Sequence, residues 1–422
     1  MVLLTLALAL AFYQMTSGGS SAGGGTSAAQ GPRHPSVPDA GACRCLAETC
    51  SRLGKDLLVA GGNVVDAGIA AALCLGLVHP HAGGLGGVFS ALLHNASSGS
   101  TVALNAVPRR GFSPHYGLPV ALPGLRLLHR HFGRLAWPRL LEGPAALAER
   151  GVRVDQELAA ALQESAGAVK ASGLCSLFCD GAGELKGRGA LVTRPRLAAL
   201  LRAVASGDEA LPQALAPDLP PAEREPFLQA MGDVGLELQS PLAMQLGDTW
   251  LYGAPAPAAG SLLASVFEEV RAAEPRDAPD PCLRALSAAW APSPVGSHLA
   301  VADSQGNVLL LSASLNSSFG SKFLAPASGI LLSDLTAPAG PGLLSWACPV
   351  VLSLGEEGTV VGLGATGGSA APLALAQAII NQVGEWAGGA PQAGPWVLQV
   401  ASQGEHARAF AAPATCCHHE GY

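Results

Sequence analysis

The stretch Gly296–Gly320, GSHLAVADSQGNVLLLSASLNSSFG, decides how this chain folds. His298–Ala302 is a short apolar run, Asp303-Ser304-Gln305-Gly306 has the composition of a tight turn, and Asn307–Ser314 returns as a leucine-rich run. Two apolar segments joined by a turn holding Asp and Gly predict an antiparallel hairpin. Downstream lie Gly329-Ile330-Leu331-Leu332, then Ser345-Trp346-Ala347-Cys348-Pro349, then Gly364-Ala365-Thr366-Gly367-Gly368.

Working outward, the chain has 422 residues, 49% of them hydrophobic and 13% charged, enough to bury a sizeable core in one or two domains. A formal net charge of -7, with only short basic clusters at Arg109-Arg110 and His129-Arg130-His131, argues against nucleic acid as a partner. Residues 1–16 contain the uncharged apolar run Val2–Tyr13, and residues 17–42 form a Gly/Ser-rich linker. The run is shorter than the roughly 20 residues of a spanning helix and lacks a basic flank. It reads as a signal anchor, as the core of a cleaved signal peptide, or as a buried N-terminal helix. Ten cysteines suit an oxidising compartment, and the sequons Asn95-Ala96-Ser97 and Asn316-Ser317-Ser318 are candidate glycosylation sites there. Cys416-Cys417-His418-His419 lacks a second, distant ligand pair, so no metal is expected.

Cys43–Val78 reads as two helical pieces parted by Gly61-Gly62, and the second, Asn63–Leu77, is apolar except for Asp66. Its length and its internal aspartate predict a buried core helix rather than a membrane span. His81-Ala82-Gly83-Gly84-Leu85-Gly86-Gly87 follows this helix instead of preceding one, which excludes a dinucleotide-binding turn. Val88–His94 and Thr101–Ala106 are strand-like. Residues 160–240 read as helices, with Leu197, Leu200, Leu201 and Val204 on one face. Pro275–Pro294 is proline-rich, and Gly384–Pro395 reads as a loop.

The run GGNVVDAGIAAALCLGLVHPHAGGLGG at Gly61–Gly87, the hairpin segment and the glycines after it resemble the signatures of the gamma-glutamyltransferases, or glutathione hydrolases. The resemblance continues at Leu118–Gly124, His131–Trp137, Gly143–Val154 and Gly247–Tyr252, and covers roughly residues 43–270 and 296–382. It implies an α+β fold, the four-layer αββα sandwich of N-terminal nucleophile hydrolases. Residues 43–295 would be the large-subunit-like region, and 296–422 the small-subunit-like region with a divergent tail. The family hydrolyses or transfers the gamma-glutamyl group of glutathione and its conjugates and uses no cofactor. Glutathione or gamma-glutamyl peptides, and a membrane reached through the N-terminal segment, are the implied partners; no protein partner is indicated. The implied setting is a single-pass type II membrane protein with a lumenal or extracellular domain, or alternatively a secreted one. Cys50 and Cys74 match one disulfide of vertebrate relatives, and Cys175 and Cys179 another; the competing reading is buried free thiols.

Residue by residue, the resemblance to the family's site is mixed. The family's nucleophile is a threonine that self-cleavage turns into a new N-terminus, and its position here is Gly296, which has no hydroxyl. Ser297, one residue on, is the candidate substitute nucleophile, although one step along a strand turns a side chain to the opposite face, so it serves only if the local register has shifted. Ser314 falls where a second threonine supports the nucleophile, and Asn316 where an asparagine contacts substrate. Gly367 and Gly368 match the oxyanion-hole glycines. Ser345 matches the first of two carboxylate-binding serines, the second being Trp346. The family's carboxylate-pairing arginine aligns with Val107, leaving Arg109 or Arg110 to reach in. The family's amine-holding acids align with Leu335 and Pro338, with Asp334 one position off. The resemblance therefore implies gamma-glutamyl chemistry that is weak or lost, or an uncleaved, membrane-associated binding or partner protein.

Overall fold

The computed structural model describes residues 47–265, 295–303, 305–336, 347–354, 359–366, 371–372, 375–376, 378–379, 396–403 and 406–412. Helices α1 (Ala47–Val59) and α2 (Val64–Val78) open this part, joined by the Cys50–Cys74 disulfide. Asn63 starts α2: its side-chain oxygen accepts from the backbone N–H of Val65 at 3.0 Å and of Asp66 at 3.1 Å, and Asp66 accepts in return from the N–H of Asn63. The same Asp66 carboxylate accepts from the backbone N–H groups of Arg134 and Leu135, so the single acid of an apolar helix is fully used. α2 is buried on nearly every face, as its composition predicts. No helix among the described residues is long and apolar enough to cross a membrane.

The chain then enters β1 (Val88–Asn95) and β2 (Ser100–Ala106) before a helical excursion. That excursion comprises α3 (Ala121–Phe132), α4 (Trp137–Arg150), the short β3 (Val152–Arg153), α5 (Gln156–Glu164), α6 (Ala166–Lys170), α7 (Cys175–Phe178) and β4 (Leu191–Val192), which pairs with β3. It closes with α8 (Pro195–Ser206), α9 (Ala210–Leu215) and α10 (Pro221–Gly232). Gly151 ends α4 with a φ of 93°, a conformation that favours glycine. Cys175 and Cys179 are disulfide-bonded across α7. Leu197, Leu200, Leu201 and Val204 form the buried face of α8, and the Val204 carbonyl accepts from the Trp137 indole at 3.2 Å.

Strands β5 (Leu242–Leu246), β6 (Thr249–Gly253), β7 (Val295–Ala302), β8 (Val308–Asn316), β9 (Val350–Leu354), β10 (Thr359–Thr366), β11 (Trp396–Gln403) and β12 (His406–Ala412) complete the order. They build two antiparallel sheets, β2-β1-β8-β7 and β12-β11-β10-β9-β6-β5. Side-chain alternation fixes the layers. Leu299, Val301, Leu309 and Leu311 turn toward α2 and join the large helical core. Their neighbours Ala300, Ala302, Val308 and Leu310 turn the other way, onto Val351 and Val360 of the second sheet. Leu352, Val361, Leu363 and Ala365 of that sheet face outward against the helical residues Ala371, Leu375, Ala376 and Ile379. Helix, sheet, sheet, helix is the αββα sandwich expected from the sequence. The hairpin is longer than its apolar residues alone suggest, because pairing extends to Val295 and Asn316 at its open end. The tail, read as divergent sequence, contributes the strands β11 and β12 to the second sheet.

The gap between the sheets is narrow, and alanine and glycine make it so. His298 enters it from β7: its Nδ1 lies 2.7 Å from Ser312 Oγ, and its Nε2 is buried without a partner. The ring lies on Gly364 of β10, where an added Cβ would come within 1.9 Å of His298 Cε1 and Nε2. Desolvation holds the His298 imidazole neutral, with its pKa pushed down to about 3. Gly364→Ala is therefore expected to destabilise the chain by about 1–3 kcal/mol, because the ring has nowhere to retreat; urea unfolding of the two proteins measures this. The pH dependence has a definite sign. Unfolding returns His298 toward its ordinary 6.5, so between 6.5 and about 3 the unfolded chain binds the extra proton and stability falls as pH falls. Urea midpoints across that range are expected to decline, and to decline less steeply in His298→Gln.

Candidate functional site at the open end of the hairpin

The candidate site lies where β7 begins. From Gly296↔Ser314 to Ala302↔Val308 the pairing is regular, and the single irregularity in this pair lies between Val295 and Gly296. Val295 then faces Asn316, which holds a left-handed φ of 75°. The Ser314 hydroxyl closes this corner by donating to the Val295 carbonyl at 2.6 Å and accepting from the Asn316 N–H at 2.8 Å. Asn316 reaches onward, its side-chain amide donating to Asp334 Oδ1 at 3.1 Å. Asp334 also accepts from Ser317, at 3.1 Å from its backbone N–H and 2.5 Å from its hydroxyl. The Lys322 ammonium donates to Ser317 Oγ at 3.1 Å and to the Gly320 carbonyl at 2.7 Å.

Two close approaches hold this loop pair in place. Gly86 pairs with Leu332 in a parallel bridge, and a Cβ there would come within 2.0 Å of the Leu331 carbonyl. Ser333 donates to the Gly86 carbonyl and Asp334 to the Leu315 carbonyl through their backbone N–H groups, at 3.0 and 3.3 Å. The glycine run at 83–87 thus serves backbone contact, as its composition suggests. Phe319 anchors the same run by donating its N–H to the His81 carbonyl at 3.0 Å.

Ser297 falls on the other face. A Cβ built on Gly83 would lie 3.1 Å from Ser297 Oγ and 3.4 Å from Ala313 Cβ, so these two side chains face the glycine run and the helical layer. Gly296 shares the face of His298, Ser312 and Ser314. A Cβ at Gly296 would meet the Ala313 carbonyl at 3.0 Å and Ser314 Cβ at 3.9 Å, so a side chain there needs a shift of only a few tenths of an ångström. The structure therefore brings Ser314, Asn316 and Asp334 together opposite Gly296 and leaves Ser297 apart.

Arg109 is exposed and ion-paired with Glu237, and Arg110 lies 3.5 Å from Asp233 in another exposed pair. Val107 and Leu335, at the positions of the family's arginine and one of its acids, are both buried apolar residues. Ser345, Gly367, Gly368 and the Cys416–His419 cluster lie outside the described residues. Asn95 is exposed at the end of β1, its side-chain oxygen accepting from Ser97 Oγ and the Ser98 N–H; the Asn316 amide is engaged with Asp334. Cys348 is a buried free thiol whose pKa burial pushes up to about 12. His79, Asp155 and Glu157 gather within reach of a common ion, but His79 Nε2 already contacts Asp155 Oδ2 directly at 2.6 Å. Asp334 as the hub of the loop pair is the residue that sequence reasoning undervalued. Its signal was its place two residues after the apolar Gly329–Leu332 segment.

Chemically, the arrangement holds a peptide group at residues 295–296 from both strands and offers hydroxyl, amide and carboxylate groups beside it. It presents no hydroxyl at position 296, and the imidazole of His298, two residues along the same face, is kept neutral by desolvation.

Comparison with known proteins agrees with this architecture. The sequence profile of the gamma-glutamyltranspeptidase family matches residues 50–214 and 261–393. Glutathione hydrolase 6 of the mouse, Mus musculus, is 40% identical over 452 residues, an alignment that spans 100% of this chain and 87% of the relative. Human (Homo sapiens) glutathione hydrolase 6 is 39% identical over 455 residues, with 100% and 87% covered. The crystal structure of cephalosporin acylase from Bacillus halodurans superposes with a TM-score of 0.72 at 18% identity, covering 93% of this chain and 98% of that one, a likeness of fold. With the profile covering well over half of the chain and relatives near 40% identity along its whole length, this protein belongs to the gamma-glutamyltranspeptidase family.

Proposed function

We propose that the corner formed by Gly296, Ser314, Asn316 and Asp334 is a gamma-glutamyl site of the glutathione hydrolase type, in which hydrolysis and transfer are weak or lost. Its ligands are glutathione and other gamma-glutamyl compounds, and it needs no cofactor. The observation that carries this reading is the face of β7: position 296 looks at Ser314 and carries no hydroxyl, while Ser297 looks at Gly83. An N-terminal nucleophile needs both its own hydroxyl and a free amine, and glycine supplies no hydroxyl. Asn316 acts as a ligand-contacting group supported by Ser314, and the resemblance assigns Ser345 to the substrate carboxylate and the Gly367 and Gly368 amides to the oxyanion hole. Apolar Val107 and Leu335 leave it without two charge partners, each costing about 2–5 kcal/mol where such a pair is truncated. Affinity for a gamma-glutamyl group is accordingly low.

A second reading, an uncleaved and non-catalytic binding or partner protein, is favoured by the hydrogen bond from Ser314 to the Val295 carbonyl. That bond, with the pairing of Val295 to Asn316, keeps residues 295–296 within β7, with the bulge of the pair between them. Under either reading, Val2–Tyr13 serves as a type II signal anchor and the folded part is lumenal or extracellular, with Asn95 at the exposed end of β1 open to glycosylation. Recovery of the full chain in the soluble fraction after alkaline carbonate extraction would contradict the anchor.

Glutamate release from glutathione by the full chain separates these readings when paired with calorimetric binding. The first predicts saturable, low-affinity binding, with turnover that is slow or undetectable and unchanged in Ser297→Ala. Neither binding nor turnover leaves the second reading. Turnover abolished by Ser297→Ala would overturn both, because it would make Ser297 the nucleophile.

A further inference from the structure

The two disulfides among the described residues sit in opposite surroundings. Cys50 and Cys74 are 24 residues apart, both fully buried, and they staple α1 to α2 inside the large core. Cys175 and Cys179 are four residues apart and bridge α7, a helix of only four residues. Cys179 is buried, but Cys175 is partly exposed, and Gly173, Ser176 and Asp180 around it are exposed. Thiol–disulfide exchange begins with a thiolate reaching one sulfur, so the second bridge is open to attack where the first is not. The Lys186 ammonium donates to the Leu177 carbonyl at 2.9 Å, which sets a positive charge in the bridged turn, where a departing thiolate is formed.

The fold as a whole leans little on this bridge, because a disulfide that closes a short loop restricts the unfolded chain less than one that closes a long loop. Its effect is local. α7 begins at Leu174 with no side-chain cap, and four residues do not sustain a helix by themselves. Inside the bridged loop, Phe178 is fully buried and meets the Phe319 ring edge-on, with ring centres 5.5 Å apart. Phe319 in turn holds the loop of the polar corner. Its N–H donates to the His81 carbonyl at 3.0 Å, and its carbonyl accepts from the Lys322 N–H at 3.0 Å. That loop contains Asn316, Phe319 and Lys322, the described non-glycine residues with left-handed backbone, at φ of 75°, 59° and 62°. Such conformations are costly and persist only where the surrounding packing imposes them. Phe178 is part of that packing.

We propose that the Cys175–Cys179 disulfide is a thiol-exchange site, opened by a small-molecule thiol, and that its opening loosens the loop carrying the candidate site. A thiolate attacks Cys175 Sγ and forms a mixed disulfide, while the Cys179 sulfur leaves with the electron pair of the broken bond and takes up a proton. A second thiolate attacks the small molecule's sulfur in the mixed disulfide, and Cys175 leaves and is protonated in turn. Two small thiols are thereby oxidised to one disulfide, and the protein's bridge is reduced to two thiols. Without the bridge, α7 keeps only its backbone contacts and the packing of Leu174 and Phe178, so the left-handed loop loses its rigid backing. The site requires no gamma-glutamyl group and stands whether or not the chain turns over substrate.

The test treats the full, folded chain with 2-mercaptoethanol, which is no gamma-glutamyl compound, and quenches samples over time with N-ethylmaleimide. Peptide mass spectrometry is expected to find Cys175 and Cys179 labelled at least about tenfold faster than Cys50 and Cys74. Hydrogen–deuterium exchange on parallel, unlabelled samples is expected to show the Phe319 and Lys322 amides exchanging about tenfold faster once that bridge is open, with the β1 and β8 amides unchanged. Reoxidation with 2-hydroxyethyl disulfide is expected to restore the original exchange. Every reading is made on the unaltered protein, so none depends on a variant folding. Equal labelling of all four cysteines, no labelling of Cys175 before the chain unfolds, or an open bridge with unchanged exchange at Phe319 and Lys322 would each overturn the proposal.

Discussion

The strict alternation of β7 between two packed layers is the constraint on which the rest of this structure depends. Leu299 and Val301 fill the helical core and Ala300 and Ala302 the thin space between the sheets, so the two faces of one strand accept side chains of different size. A slip by one residue would send leucine into the alanine layer and alanine into the leucine layer, at a cost spread over the whole strand. Regular pairing from Gly296 to Ala302 shows that no such slip has occurred. The face seen by residue 296 is thereby fixed by residues well inside the core. A hydroxyl at 297 does not substitute for one at 296, however near the two positions are in sequence.

The same constraint explains the surroundings of the hairpin's open end. With β7 and β8 locked, Ser314 must face Gly296, and the left-handed Asn316 must turn its amide out of the strand toward Asp334. Gly86 lets the Ile330–Asp334 segment run against the glycine loop, which brings the Asp334 carboxylate within reach of Asn316 and Ser317. The polar corner is thus a consequence of backbone packing. Its chemistry is limited by the side chains that packing delivers. Asp334 arrives with three of its acceptor positions already used, and Arg109 is held in an ion pair with Glu237.

The fold was largely legible in the sequence because its deciding segments carry strong local signals. The two apolar runs and turn of Gly296–Ser314, the apolar helix after Gly61-Gly62, and the glycine run at 83–87 each find the expected element. The tail hairpin β11–β12 was harder to read, since HARAFAA mixes charged residues with alanine and has little β-branched content. At the candidate site, the resemblance pointed to Ser314 as a support of the nucleophile position, and the pairing of β7 with β8 sets it opposite Gly296. The Asp334 hub was not legible, because it depends on where two separate loops cross. The ion pair of Arg109 with Glu237 spans 128 residues and leaves no trace in local pattern.

The central claim is that the backbone from Val295 into Gly296 remains one continuous strand, because the residue at 296 offers no hydroxyl and the serine beside it faces the wrong layer. Intact mass together with N-terminal sequencing of the protein recovered from secretory cells tests this directly. The account predicts one polypeptide running through residues 295–297, with no N-terminus arising inside the hairpin. A second N-terminus at Ser297 would contradict it, and would mean that the strand rearranges to bring that hydroxyl to the opposite face.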